Sequence, residues 1–345
     1  MTIQADASIG LKQETTYGTA VVVDRFLEFT SESLDFDRDY YQGGQGLRPG
    51  RRAARSGRRV LSRDGGKGDI ELEVPSRGLG TFLQAIFGVG TSTLVSAGLY
   101  QQLFTPDAQR LPPVVHDPGG RAASRRQHRR HADLPRIRVR VGRVLRVEQR
   151  RAQAEDDVAV QGGADGRRLR GSDLPPHPPI DLFSFVGAQL TVGGTVTVPT
   201  TTALATGGTT VADVRDFSLT YDNKLDDNKG NLGGSGKRTR QSAVQLAEIK
   251  GKLTAEYDST TFRDALASNT ALALVATFTA SAAADIVTGK KPVLQIVCPD
   301  VRFNGELAKV SGTDVITQSM DFTAYDNLVA AEPIYVAVQT ADTAL

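Results

Sequence analysis

Between Gly43 and Gly68 the chain carries seven arginines, spaced by glycine and small residues. A guanidinium is a planar fork of donors that stays charged, so it grips a carboxylate or a phosphate through paired hydrogen bonds. Three uses fit such a run: a long hairpin arm that docks on acidic surface of a neighbouring subunit, a phosphate-binding patch, or a solvated loop. The first is the reading adopted, because the run exceeds the usual hairpin length and long loops are generally functional or disordered. It makes Arg48, Arg51, Arg52, Arg55, Arg58 and Arg59 contact residues between assembled copies.

Other chemistry is sparse. Asp222, Asp226, Asp227 and Asn228 offer oxygen ligands. They lack the alternate-residue spacing closed by a distal Glu that a calcium loop needs, so they read as a hairpin turn. The four histidines, His116, His128, His131 and His177, all fall in one compositionally odd segment. The single cysteine, Cys298, lies among Leu294, Ile296 and Val297 and reads as a core thiol with no intrachain disulfide partner. No zinc spacing appears, and Gly233 to Lys237 is not followed by the Ser or Thr of a phosphate-cradling loop. The expectation is a protein with no catalysis, no metal and no cofactor.

The elements that hold these residues show an internal repeat. Phe26 to Thr30 followed by Gly43, Gly44 and Gly46 is matched by Phe217 to Tyr221 followed by Gly233, Gly234 and Gly236. Each is followed by a strand. In Gly68 to Val74, alternation puts Ile70, Leu72 and Val74 on one face and Asp69, Glu71 and Glu73 on the other. Gly251 to Tyr257 plays the same part in the second copy. A short helix then follows in each. Leu79, Phe82, Leu83, Ile86 and Phe87 form one apolar face, with Pro75 and Ser76 suiting the start and Gly88 the end. Thr261, Phe262 and Leu266 match Thr81, Phe82 and Ile86, with Ser259 or Thr260 as the cap. Later strands are expected at 273–278, 293–297 and 316–322.

The 345 residues include 35 glycines and no tryptophan, which points to an all-β protein rich in turns. The N-terminus has no signal pattern, and no apolar stretch approaches the roughly 20 residues that span a bilayer. The expected life is synthesis in a cytoplasm, in solution or within an assembly, with no membrane partner.

One segment breaks the composition. Pro106 to Ile180 holds 16 arginines and no lysine, and lacks Phe, Tyr, Thr and Asn. A nucleic-acid-binding insert or a basic linker would explain the charge. The adopted reading is a stretch translated out of frame from a GC-rich gene. Permissible codons for Val114 to Ala123, shifted by one base, read SSTIQEGVPP, and the same shift elsewhere restores Thr, Tyr, Lys and Phe. The segment is therefore expected to be irregular, apart from Arg136 to Val147, where Ile137, Val139 and Val141 alternate with arginine. Subtracting its 16 arginines and 9 acidic residues from totals of 41 and 39 leaves 25 basic against 30 acidic residues, a mildly acidic remainder.

The succession SESLDFD, GLRPGRRAARSGRRV, GDIELEVPSRGLGTFLQAIFG, DNKLDDNKGNLGGSGK and terminal TADTAL resembles the major tail (tail tube) proteins of siphophages of actinobacteria. The resemblance covers about 1–105 and 181–345. It implies an all-β fold of duplicated sandwich or barrel units, each with one short helix, at 1–200 (106–180 anomalous) and 201–345. It further implies copies joined sheet to sheet into rings, rings stacked into a tube, and DNA passing transiently and without sequence preference through the lumen. With two units per chain, the expected ring is a trimer of pseudo-sixfold symmetry, a hexamer being the alternative. Asp69, Glu71 and Glu73 would face the lumen. Expected partners are the chain itself, a tape-measure protein and a tail terminator, in the virion, after assembly in the host cytoplasm. Another virion component (baseplate or decoration protein) or a β-rich binding module is the rival class.

Overall fold

The alternation at Ile70, Leu72 and Val74 is realised as strand β1, Gly66–Glu73. In this computed structural model the described residues are 9–13, 22, 25–36, 38–43, 53–63, 66–107, 181–211, 213–225, 245–257, 260–305 and 315–345. Of these, 11, 25–27, 63 and 66–67 are described by backbone alone, as are five strands within 114–159. Ile70, Leu72 and Val74 are buried, while Asp69 is exposed and Glu71 and Glu73 are half-buried. Helix α1 follows at Gly80–Phe87 and buries Phe82, Leu83, Ile86 and Phe87. Pro75 and Ser76 do not start it. Pro75 bridges Leu182, and the Ser76 N–H donates to the Asp181 carbonyl, so this segment is held extended. The helix begins one turn later, where the Leu79 carbonyl accepts from the Leu83 N–H at 3.0 Å. Gly88 ends it at φ 92°, a conformation that favours glycine.

The chain then forms a hairpin, β2 (Gly88–Ser96) and β3 (Leu99–Pro106). Arg136–Val141 (β4) and Leu145–Ala152 (β5) form another. The exception expected within the anomalous segment is thus strand in large part; apart from Pro106, Asp107 and three further short strands, the rest of that segment lies outside the described residues. Ala188–Val192 is β6. The second half runs β7 (Val214–Asp222), β8 (Glu248–Glu256), α2 (Thr261–Ser268), β9 (Leu272–Thr279), β10 (Val293–Gly305), β11 (Thr317–Ala324) and β12 (Tyr335–Thr340). Thr260 occupies the start of α2 without a side-chain cap hydrogen bond, and Ser259 lies outside the described residues. Asn269, at φ 49°, ends the helix in the left-handed region, which an asparagine tolerates.

The pairing follows two paths that share one strand. The first crosses Ser31–Glu32, β1, β5, β4, β7, β8, β11 and β10, every neighbour antiparallel. The second crosses β2, β3, β12, β10, β9 and β6. They fork at β10: Val293–Val297 pairs with β12, and Val301–Gly305 pairs with β11. The two halves of the chain therefore meet in three ladders of these strands, β4 with β7, β12 with β3 and β6 with β9.

One face of the first path builds the core, with Leu253, Met320 and Phe322 essentially buried. Phe217, Phe322, Phe303 and Phe262 follow one another at centroid distances of 6.0, 6.0 and 5.4 Å. Such ring pairs each contribute about 0.5–1.5 kcal/mol beyond their buried area. The glycines leading the repeated strands have a shared cause. A Cβ on Gly68 would lie 2.5 Å from Leu34 Cα, and one on Gly251 would lie 2.2 Å from the Phe322 ring. At both strands a neighbour crosses where only glycine leaves room.

Candidate assembly surfaces

The described flanks of the arginine-rich run form an arm. Asp39–Gln42 pairs with Arg59–Arg63, and Asp35–Phe36 anchors the base on the start of β1. A turn of 3-10 helix at Ser56–Arg58 tightens one side. The Gln42 side-chain amide donates to the Arg55 carbonyl at 3.0 Å, and the Gly43 N–H donates to the Arg58 carbonyl at 2.9 Å. Arg55, Arg58 and Arg59 are exposed on this arm, while Arg48, Arg51 and Arg52 lie outside the described residues. The Arg59 guanidinium stands 4.3 Å above the Tyr40 ring, and that of Arg38 stands 4.5 Å above Phe36. Such contacts hold a cation over the ring face.

Arginine is not the arm's only feature. Phe36, Tyr40, Tyr41, Val60 and Leu61 are all exposed on it. The arm therefore places apolar and cationic side chains side by side on the surface. Tyr40 with Tyr41 and Val60 with Leu61 are adjacent pairs without alternation, so spacing alone marks no buried face here.

The acidic residues of β1 lie on the sheet face opposite the core. Ser31 donates to Glu71 Oε2 at 3.1 Å, and the Asp69 N–H donates to Ser33 Oγ at 2.9 Å. Register carries that face across the path: Thr220, Lys250 and Thr323 share the row of Glu71, and Ser218, Lys252 and Asp321 share the row of Glu73. The face is thus polar along its length and mixed in sign, since it includes lysine as well as carboxylate.

At the putdown of the turn after β7, Asp222 binds Lys224 twice. Its Oδ2 meets the ammonium at 2.8 Å, and its Oδ1 accepts the Lys224 N–H at 3.0 Å. Lys224 also meets Glu248 at 3.1 Å, and Glu248 meets Lys250. Asp222 therefore closes a turn, as expected; Asp226, Asp227 and Asn228 lie outside the described residues. These bonds hold Lys224 above the usual lysine range, its bond to Asp222 contributing most, and Glu248 below the usual carboxylate range, chiefly through Lys250. Cys298 is fully enclosed, and burial pushes its thiol up to about 12. The histidine side chains lie outside the described residues. Among the described residues no three His, Cys, Asp or Glu side chains gather to hold a metal ion, and no helix is long and apolar enough to cross a membrane.

The fold defines an all-β protein whose distinctive surfaces are a broad polar sheet face and a projecting arm. Residues 4–324 match the family model described as phage tail tube protein, and the chain belongs to that family. Among curated proteins none matches it. The chain is accordingly a phage tail tube structural protein.

Proposed function

We propose that the chain is the ring-forming subunit of a phage tail tube, with three copies closing each ring at pseudo-sixfold symmetry. The observation that carries this reading is the composition of the first sheet path. It reads as two four-strand sets: Ser31–Glu32, β1, β5 and β4, then β7, β8, β11 and β10. Each set's second strand leads through a short helix into a hairpin, so the sets are fused repeats, divided near residue 200. Six such sets close a sheet wall, and three chains supply six. Closure also satisfies strand edges that an isolated subunit leaves open.

The polar face of that path lines the lumen in this reading. Asp69, Glu71 and Glu73 repel DNA phosphates and let the genome slide during ejection. Lys250 is neutralised by Glu248, and Lys252 stands in register with Asp321. Rings stack through the arginine arm, with Arg48, Arg51, Arg52, Arg55, Arg58 and Arg59 reaching carboxylates of the next ring. A tape-measure protein fills the lumen before ejection, and a terminator closes the end. Assembly runs in the host cytoplasm, and the product resides in the virion.

Averaged end-on electron micrographs of assembled protein test the ring. Three two-lobed subunits are expected; six subunits, each with a peripheral domain, would refute the trimer. Replacing Arg51, Arg52, Arg58 and Arg59 with Ser is expected to leave the fold intact and shorten or abolish tubes. Salt should deepen the defect, since it screens the charges that remain. Tubes of unchanged length would remove the arm from stacking.

A further inference from the structure

Register shows which end of the molecule each loop leaves from. Ile70 pairs with Gln149, Gln149 with Ile137, Ile137 with Tyr221, Tyr221 with Ile249, Ile249 with Ala324, and Ala324 with Val301. These residues form one row across the first path. The arm joins β1 at Gly66 and Lys67, beyond Ile70. The connection from β11 to β12 leaves directly after Ala324. Arm and connection therefore leave the same end of the sheet. The second four-strand set has β11 and β10 where the first has β5 and β4, so the row stands on the repeat as well as on the odd segment.

That connection displays two apolar side chains in water. Leu328 and Val329 are 88% and 90% exposed. The loop is organised to hold them there. Asp326 accepts the Leu328 N–H at 2.8 Å, and Asn327 accepts those of Val329 and Ala330 at 3.0 and 2.9 Å. Leu328 sits at φ 57°, a conformation leucine seldom adopts. Carboxylates flank the pair. Glu332 lies near Asp326 and Asp107, and burial first, then those two like charges, push its carboxyl above the ordinary range. A cation from outside would relieve that repulsion.

The arm offers the complement: cationic Arg55, Arg58 and Arg59 beside exposed Tyr41, Val60 and Leu61. Within one chain five strand steps separate β1 from β11, roughly 24 Å at about 4.8 Å per step. The exposure of both surfaces confirms that they do not cover each other in the same copy. Where the 302–305 end of β10, paired with β11 alone among the described residues, abuts Ser31–Glu32 of the next copy, the separation from β1 to β11 is three steps, roughly 14 Å. A copy stacked end to end presents the opposite end of the sheet instead.

We propose that the arm base of one copy lies across the Leu328–Val329 loop of the adjacent copy in the same ring, apolar against apolar and arginine against carboxylate. This rests on the ring reading above and assigns the arm base a lateral contact, leaving its tip to reach the next ring.

Disulfide trapping tests it. Cys298 is enclosed and its thiolate suppressed, so introduced cysteines react without background. The pairs are Val60→Cys with Val329→Cys, and Leu61→Cys with Val329→Cys, because alternation turns residues 60 and 61 to opposite sides of the arm. Assembled tubes are oxidised and separated on a denaturing, non-reducing gel. One pair is expected to give bands that stop at the number of copies in a ring. A ladder continuing beyond that number means contact between rings and overturns the proposal. Absence of bands from both pairs, with tubes visible by microscopy, overturns it and leaves the ring reading standing. Unsubstituted protein that forms no rings at all removes the ring reading and the proposal together.

Discussion

The Asn223 side-chain amide donates to the Ile86 carbonyl at 2.7 Å, joining the end of β7 to the last turn of α1. Carbonyls in a helix's last turn lack partners within the helix, and this one is satisfied from the other half of the chain. The Tyr221 hydroxyl donates to Asn223 Oδ1 at 2.6 Å, and the Tyr221 ring stacks on Phe87 at 4.8 Å.

Asn223→Ala is therefore expected to remove the bonds to the Ile86 carbonyl and the Tyr221 hydroxyl. The loss is about 1–3 kcal/mol. Thermal unfolding checks it; an unchanged midpoint would show that water replaces the amide.

Gly251→Ala puts a Cβ 2.2 Å from the Phe322 ring and 2.3 Å from the Ser218 carbonyl. Overpacking of this kind costs about 1–3 kcal/mol. Gly57→Ala, which meets nothing within 4 Å, is the control and is expected to stay within about 0.5 kcal/mol of the parent. Urea midpoints compare the two, and equal shifts would discount the close approach.

The segment after β12 crosses to the first half. Asp342 Oδ2 accepts the Gly78 N–H at 2.6 Å, and the Gln102 amide donates to the Ala344 carbonyl at 2.9 Å. Asp342→Ala is expected to cost about 1.5 kcal/mol, the lower end for a bond to a charged group. It should raise amide exchange at Gly78 before it disturbs β8. Uniform exchange across the chain would contradict that order.

Glu248 is held below the ordinary carboxylate range, chiefly by Lys250 and then by Lys224. A depressed carboxyl stabilises the fold above its unfolded value, about 4.3, and that stability is lost as pH falls through the lower folded value. Glu248→Gln should therefore be the less stable protein at neutral pH and converge with the parent in acid. A stability gap independent of pH would exclude this origin.

Sequencing of codons 100–185 is expected to show a frame change on each side of the arginine-rich segment, restoring Thr, Tyr, Phe and Lys to it. A continuous frame that yields the same protein would show the arginines to be genuine.

Periodicity made the strands around Ile70, Leu253 and Phe322 and both helices legible, because one buried face imposes its spacing on the side chains. Helix starts were less so: Pro75 and Ser76 look like a cap, yet backbone bonds to Asp181 and Leu182 hold them extended. The fork of β10 could not be read from its text. Val293 to Val297 and Val301 to Gly305 part company through backbone edges, which side-chain pattern does not encode. The apolar display at Leu328 escaped for a related reason. Five polar and apolar residues in a loop carry no period, and only the Asx bonds reveal that they are held in place.

The fork has a mechanical consequence. Because β10 passes without a break from one sheet path into the other, a pull on one is carried into the other along covalent backbone. Turning the two paths against each other requires shearing ladders on both sides of Pro299 and Asp300, where a flexible linker would simply swing. The subunit thus behaves as a braced frame, stiff against torsion between its layers.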